Sequence, residues 1–384
     1  MFSSKSLVFV FVLLAALVDA IPLKHKHIRR SCSHHSAPAQ SLVAVASSAS
    51  SVYTSSASSA SSVYTSSASS ATSSSKSTSG STSTSSSAES TSTGGSTVVP
   101  SSKLIAALFP VKIESGNSGW TTASQSINAL PLSDETLNPT NVLKELAHPY
   151  VAAPDGKLGM KAFYPKGSYT LTREPKGGIS FYAPGPDNVD LTTAKEATLG
   201  YSVFFEEGFG WQLGGKLPGL YGGDTAEDSV GCSGGSRSDA CFSARLMWRT
   251  DGAGELYTYL PPYTNPEFAA NKAVCDVAPK SDCNAEYGAS VGRGAFTFVS
   301  GQWNTISQRV RLNDAGQANG ELELFIGGRS VINVGGLILR DSADGRIRGI
   351  QMQTFFGGSE QDFASPKDQS AWFSDFTVAI TETL

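Results

Sequence analysis

The chain has 384 residues and a formal net charge of −4, mixed in sign along its length. That charge lacks the basic footprint of a nucleic-acid-binding protein, so a nucleic-acid partner is not expected. The length would hold two or three domains, but the composition of the N-terminal part cannot build a core, and the usable length is shorter.

Lys5, the apolar run Leu7 to Val18 and small residues ending at Ala20 have the layout of a secretory signal peptide over residues 1–20. The run is too short to span a bilayer, and no later segment is long and apolar enough to do so. The C-terminus, Ile380-Thr381-Glu382-Thr383-Leu384, is not the apolar tail of a lipid-anchored precursor. The expectation is therefore a secreted, extracellular protein, free or held at the cell wall, with no membrane partner. Residues 21–30 end in Arg29-Arg30, which reads equally as the dibasic end of a propeptide and as a solvated basic patch.

Residues 31–102 are dominated by Ser, Thr and Ala, and SSVYTSSASSA occurs at 50–60 and again at 61–71. Such sequence cannot bury enough apolar surface to offset its ordering entropy. It reads as a disordered, O-glycosylated linker of the kind secreted fungal proteins carry, with an adhesive repeat as the rival. Cys32 lies at its start. Four further cysteines form two close pairs, Cys232 with Cys241 and Cys275 with Cys283. Three connectivities are open, and local pairing, which closes two short loops, is the one expected in an exported chain. A zinc site would lack the CxxC spacing and histidines that zinc usually recruits.

From residue 103 to 384 the sequence is rich in Gly and aromatic residues, with short alternating runs. Ala197 to Phe205, Ala295 to Val299, Gly320 to Ile326 and Trp372 to Val378 have strand length and strand residues. Asp251-Gly252, Gly327-Gly328 and Asp344-Gly345 mark turns between such runs. One helix is expected, Ser133 to Ala147, ending before Pro149. Many strands with little helix predict an all-β domain, a jelly-roll sandwich of two antiparallel sheets.

The segment Cys241 to Arg249, a Thr250-Asp251-Gly252-Ala253-Gly254 turn and Glu255 to Leu260 read as a β-hairpin. Side chains alternate along a strand, so Ser243, Arg245, Met247 and Arg249 share a polar face while Phe242, Ala244, Leu246 and Trp248 face the core. On the returning strand Glu255, Tyr257 and Tyr259 share a face, and an even register would set them beside Arg249, Met247 and Arg245. Nearby guanidinium groups would favour the phenolate and bring a tyrosine base closer to neutral pH. A pair of half-exposed aromatic strand residues is the plainer reading of the same two tyrosines. His148 is the only histidine in this region, so a Ser-His-Asp hydrolase is hard to assemble.

Upstream, Lys216 lies in Gly214-Gly215-Lys216-Leu217-Pro218-Gly219-Leu220-Tyr221-Gly222-Gly223, which lacks the spacing of a phosphate-binding P-loop. GGKLPGLYGG, then FSARLMWR, then ELYTYLP, in that order, resemble polysaccharide lyase family 14, which contains alginate and glucuronan lyases of jelly-roll fold. The likeness runs more loosely from Tyr201 through Gly301-Gln302-Trp303 and Gln353-Thr354-Phe355-Phe356-Gly357-Gly358 to Trp372-Phe373. The resemblance implies that Lys216, Ser243, Arg245, Tyr257 and Tyr259 occupy functional positions. It also implies a lyase acting on an acidic polysaccharide.

β-Elimination from a 4-linked uronate needs a neutralised carboxylate, a base for the C5 proton and an acid for the departing O4. Arg245 and Lys216 would neutralise the carboxylate, while Tyr257 and Tyr259 share base and acid roles. Lys216 is the alternative base if burial and Arg245 depress its pKa. Ser243 would orient substrate, and Gln351 with Gln353, sharing a strand face, would line the cleft ahead of Gln308. Trp211 and Trp303 are candidates for stacking on sugar, whereas Trp248 belongs to the apolar face. No metal or other cofactor is expected, and the protein is expected to be a monomer. Two rivals remain: a glycosidase drawing acids from Glu206, Glu207, Glu255 or Glu323, and a non-catalytic carbohydrate-binding module.

Overall fold

A computed structural model describes residues 101–111, 118–284 and 286–384. The expected signal peptide, dibasic site, Cys32 and the Ser/Thr-rich linker up to residue 100 lie outside the described residues, while residues 101 and 102, expected to end that linker, open a helix. Among the described residues fourteen strands are present: β1 Gly119–Thr121, β2 Tyr150–Ala152, β3 Leu158–Tyr164, β4 Ile179–Ala183, β5 Ala194–Phe205, β6 Gly215–Gly223, β7 Cys241–Trp248, β8 Ala253–Tyr259, β9 Ala289–Thr297, β10 Trp303–Arg311, β11 Gly320–Ile326, β12 Arg329–Leu337, β13 Arg346–Phe356 and β14 Gln369–Thr383.

They form two antiparallel sheets, as the alternation predicted. The larger runs β12-β11-β10-β5-β14-β3-β2 with β1 added beside β14, and the smaller runs β4-β13-β6-β7-β8-β9. Their facing sides interdigitate in one core. From the larger sheet come Leu199, Tyr201, Val203 and Phe205, and from the smaller come Leu217, Leu220, Ala244, Leu246 and Trp248. The result is a jelly-roll sandwich whose apolar centre removes the inner faces of both sheets from water.

Two bulges break the alternation. In β14 the register shifts between Ser374 and Thr377, with Asp375 in the left-handed region at φ 59°, so that Phe373 and Phe376 both reach the core. In β6 it shifts between Leu217 and Leu220, and again both apolar side chains turn inward.

The expected helix over 133–147 is not formed. Only a short α-helix, Asp134–Leu137, is present, closed by Asn138 in the left-handed region at φ 52°. Pro139 disfavours helical geometry at the residue before it, and Asn tolerates the left-handed one. The chain then pairs with β4, Thr140 N–H donating to the Tyr182 carbonyl at 2.7 Å. A helix absent from the sequence reading, Ser101–Leu108, lies over the outer side of the larger sheet. There Leu104 and Leu108 cluster with Ala123, and a Cβ on Gly200 would stand 2.1 Å from the Leu108 carbonyl oxygen.

Both expected disulfides are present, Cys232–Cys241 and Cys275–Cys283. The turn Thr250–Gly252 joins β7 to β8 through Asp251 at φ 57° and Gly252 at φ 77°.

Candidate active site

The side of the smaller sheet turned away from the core carries the polar residues of the hairpin, in rungs set by strand pairing. Lys216 pairs with Phe355 on β13 and Met247 on β7, and Met247 pairs with Glu255 on β8. The neighbouring rung sets Arg245 against Tyr257 and Tyr257 against Ser290 of β9. A third sets Tyr221 against Ser243 and Ser243 against Tyr259. The β7–β8 register is therefore even, as alternation requires, but displaced by two residues from the expected one. Tyr257 and Tyr259 face Arg245 and Ser243, because the turn closes on the Trp248–Gly254 pair and leaves Arg249 outside the ladder.

Over these rungs lies a cleft of about 670 Å³ lined by Lys216, Arg245, Met247, Tyr257, Tyr259 and Gln353, among others. The Lys216 ammonium carbon stem crosses the sheet so that Nζ sits 3.8 Å from the centre of the Tyr257 ring and donates to Met247 Sδ at 2.8 Å. Burial, then the charges of Arg245 and Arg249, hold its pKa well below the usual lysine range, against a smaller opposing pull from Glu255. Arg245 is 1% exposed, and its Nη1 donates to Gln353 Oε1 at 3.0 Å while its Nε has no partner. No carboxylate among the described residues pairs with either cation.

Burial pushes the Tyr257 phenol up, further helped by Tyr259, and outweighs the lowering by Arg249 and Arg245. The expectation that neighbouring guanidinium groups would make this tyrosine a base near neutral pH is thereby corrected. Desolvation of the phenolate exceeds the attraction, so Tyr257 keeps its proton. The Tyr259 hydroxyl accepts from Gly235 N–H at 2.9 Å, in the loop closed by the Cys232–Cys241 disulfide. The Tyr257 and Tyr259 rings meet edge to face, 5.9 Å apart. Gly288 fits against both: a Cβ there would come within 2.7 Å of the Tyr259 ring and 2.8 Å of the Tyr257 ring.

Ser243 and Gln351 stand behind this surface rather than on it. Ser243 Oγ donates to the Cys232 carbonyl at 2.8 Å, and Gln351 Nε2 donates to Gln353 Oε1 at 2.9 Å and to the Tyr182 hydroxyl at 3.2 Å. Gln353 Nε2 in turn donates to Ser180 Oγ at 3.1 Å, which fixes the oxygen that Arg245 uses. Gln308 is not at the cleft but between the sheets, accepting from Leu220 N–H at 2.6 Å and donating to the Ala244 carbonyl at 2.8 Å. Trp248 is buried, donating its Nε1 to the Trp211 carbonyl at 3.0 Å. Trp211 packs on Phe205 and Phe209, and Trp303 lies in a cluster with Phe204 and Trp372 on the larger sheet; neither lines the cleft. Arg249, which parity set on the polar face, lines the cleft from beyond the last rung, and one cleft residue that parity did not reveal is Arg293, which follows Gly292 at φ 63°. The glycine interrupts the alternation of β9 and hides the face on which Arg293 falls.

The fold and motif order agree with one family model, polysaccharide lyase 14, which matches residues 152–376. The chain belongs to polysaccharide lyase family 14. It is similar to the marine alginate lyase of Aplysia kurodai at 36% identity over 58% of this chain and 82% of that one, with a TM-score of 0.51. It is also similar to the alginate lyase vAL-1 of Chlorella virus at 26% identity over 65% and 93%, with a TM-score of 0.50. No curated protein sequence matches it. As a family 14 member the chain is a polysaccharide lyase, which removes the glycosidase and the non-catalytic module from contention. Three of the four carboxylates named for a glycosidase are engaged in other contacts in this lyase. Glu255 is buried against two arginines, Glu323 pairs with Arg309 on the other sheet, and Glu206 accepts from Ser370 N–H. Among the described residues no group of three His, Cys, Asp or Glu side chains is placed to hold a metal ion.

Proposed function

We propose that this lyase is secreted and cleaves a 4-linked polymer of D-uronic acid, of mannuronate or glucuronate type, by β-elimination. One observation carries the reading: Lys216 and Arg245 are two buried basic side chains on neighbouring rungs, 8% and 1% exposed, and no carboxylate among the described residues pairs with either. A buried cation without a partner is costly in the folded chain, and a substrate carboxylate seated on Arg245 and Gln353 relieves that cost. The alginate specificity of the two similar enzymes supports the substrate class, and the signal-peptide layout with two disulfides supports export.

The roles follow from the protonation states. Arg245, held by Gln353, neutralises the uronate carboxylate and so acidifies the C5 proton. Lys216, whose pKa burial and the neighbouring arginines hold well below the usual lysine range, takes that proton in its neutral form. The C5–H electron pair forms the C4=C5 double bond, the C4–O4 bond breaks, and O4 takes a proton from a phenol. Tyr257, which keeps its proton, is that acid, and Tyr259 is the second donor within reach of the same site. All these groups rise from one face of one sheet, so base and acid reach the sugar from the same side. That arrangement suits syn elimination, for which H5 and O4 must share a ring face, as they do in mannuronate and glucuronate.

The test is incubation of the purified protein with polymannuronate and with polyglucuronate while the ultraviolet absorbance of the unsaturated uronate is followed. Product is expected on at least one polymer; new reducing ends without absorbance would overturn the reading. Lys216→Ala and Tyr257→Phe are each expected to lower kcat by about 10²–10⁴, the usual worth of general acid–base catalysis. Full activity of Tyr257→Phe with loss in Tyr259→Phe would move the acid role to Tyr259.

A further inference from the structure

Glu255 is the one carboxylate within the polar face of the hairpin, and it is 0% exposed. Its Oε1 accepts from Arg249 Nε at 2.8 Å and Nη2 at 2.6 Å, and its Oε2 accepts from Arg293 Nε at 2.7 Å and Ser290 Oγ at 2.6 Å. Arg293 Nη2 donates to Ser290 Oγ at 2.9 Å. Both guanidinium groups line the cleft while the carboxylate between them is hidden. One negative charge against two positive ones leaves a net positive surface. Nη1 of each arginine makes no hydrogen bond among the described residues. Asp282 and Glu360, the acids at the cleft wall, pair with neither.

We propose that Arg249 and Arg293, held by Glu255, form a second carboxylate subsite that binds the uronate next to the one being cleaved. Each guanidinium has two of its nitrogens fixed on Glu255 and Ser290, and the cleft-facing remainder is left for an anion. The site is separate in function from Lys216 and Arg245, which serve the reacting residue; it reads a further charge along the polymer. Glu255 is a positioning residue, since it touches the arginines and not the substrate. The inference rests on the polyuronate reading above.

The experiment uses Arg293→Gln and Arg293→Lys in the full chain, with kcat and KM measured on the polymer that the wild type cleaves, across a range of sodium chloride concentrations. Arg293→Gln is expected to raise KM about tenfold, with the loss in kcat/KM carried by KM. The slope of log KM against log salt should fall by about one, the signature of one lost cation–anion contact on a polyanion. Arg293→Lys should restore the salt slope and recover KM in part, since the charge returns without the fork. A purely structural role would lower thermal stability and leave the salt slope unchanged, which overturns the proposal. So does an unaltered KM. If Arg293→Gln fails to fold, the salt slope and KM of Arg293→Lys decide: KM equal to wild type overturns the subsite. Wild-type protein that yields no unsaturated product from any polyuronate defeats the parent reading, whereas an active wild type with an indifferent Arg293→Gln defeats this inference alone.

Discussion

Lys216 sits where a buried amine is least comfortable, and its discomfort has a measurable sign. Burial together with Arg245 and Arg249 holds its folded pKa below the unfolded value. The unfolded chain therefore binds one proton more than the folded chain between those two pKa values, and stability falls as pH is lowered through that window, levelling off below the folded pKa. Activity moves in the same direction, because protonation of Lys216 removes the base; kcat is expected to fall on the acid side with a midpoint well below the usual lysine range. Lys216→Met, which fills the same space beside Met247 and the Tyr257 ring, should abolish turnover and stabilise the fold by about 1 kcal/mol at neutral pH. For a domain of this size that is a rise in Tm of about 2–4 °C. Calorimetry across pH checks it: the variant should show a flatter dependence of Tm on pH than the wild type. A lower Tm for Lys216→Met throughout would mean that the amine is not a buried liability.

At the scale of elements, the hairpin was readable because β7 and β8 alternate without interruption, so parity alone placed Arg245, Tyr257 and Tyr259 on one face. Parity could not place β6. Its register shift between Leu217 and Leu220 lets both leucines into the core while Lys216 stays on the cleft side. Nothing in the run Lys216-Leu217-Pro218-Gly219-Leu220 alternates. The bulge is held from the opposite sheet: Gln308 bridges Leu220 N–H and the Ala244 carbonyl, and the Tyr201 hydroxyl donates to the Pro218 carbonyl at 3.1 Å. Gly219 allows the close approach, since a Cβ there would be 2.0 Å from the Ala244 oxygen. Gln308→Leu leaves a buried N–H and a buried carbonyl without partners, at about 1–3 kcal/mol for each group. The expected outcome is a urea midpoint lowered accordingly, and a reduced kcat because Lys216 and Arg245 lie on the two strands that Gln308 joins. An unchanged midpoint would show that the bulge stands without it.

For the whole molecule, the sandwich was legible as a count of alternating runs separated by Gly-rich turns, because burial on one side of an antiparallel sheet writes itself into every second residue. The stretch between the linker and the first long strand was not legible. There Leu104, Trp120, Leu132 and Leu137 are buried in short pieces, each too brief to show a period, and their order is set by what the sheets leave uncovered. This separates the catalytic segment from the folding unit. The cleft draws its residues from 170 to 363, and the family match begins at 152, yet β1 pairs with β14, and Trp120, Leu132 and Leu137 belong to the main core. Losing one large core side chain costs about 2–5 kcal/mol, and losing three approaches the entire stability of about 5–15 kcal/mol that a domain possesses. A chain beginning at residue 101 is therefore expected to keep the melting temperature and kcat of the full protein. One beginning at residue 152 keeps every cleft residue and is expected to lose the cooperative melt and all activity. Circular dichroism and the absorbance assay on the two truncations check this, and activity in the shorter chain would show that the core closes without its N-terminal cover.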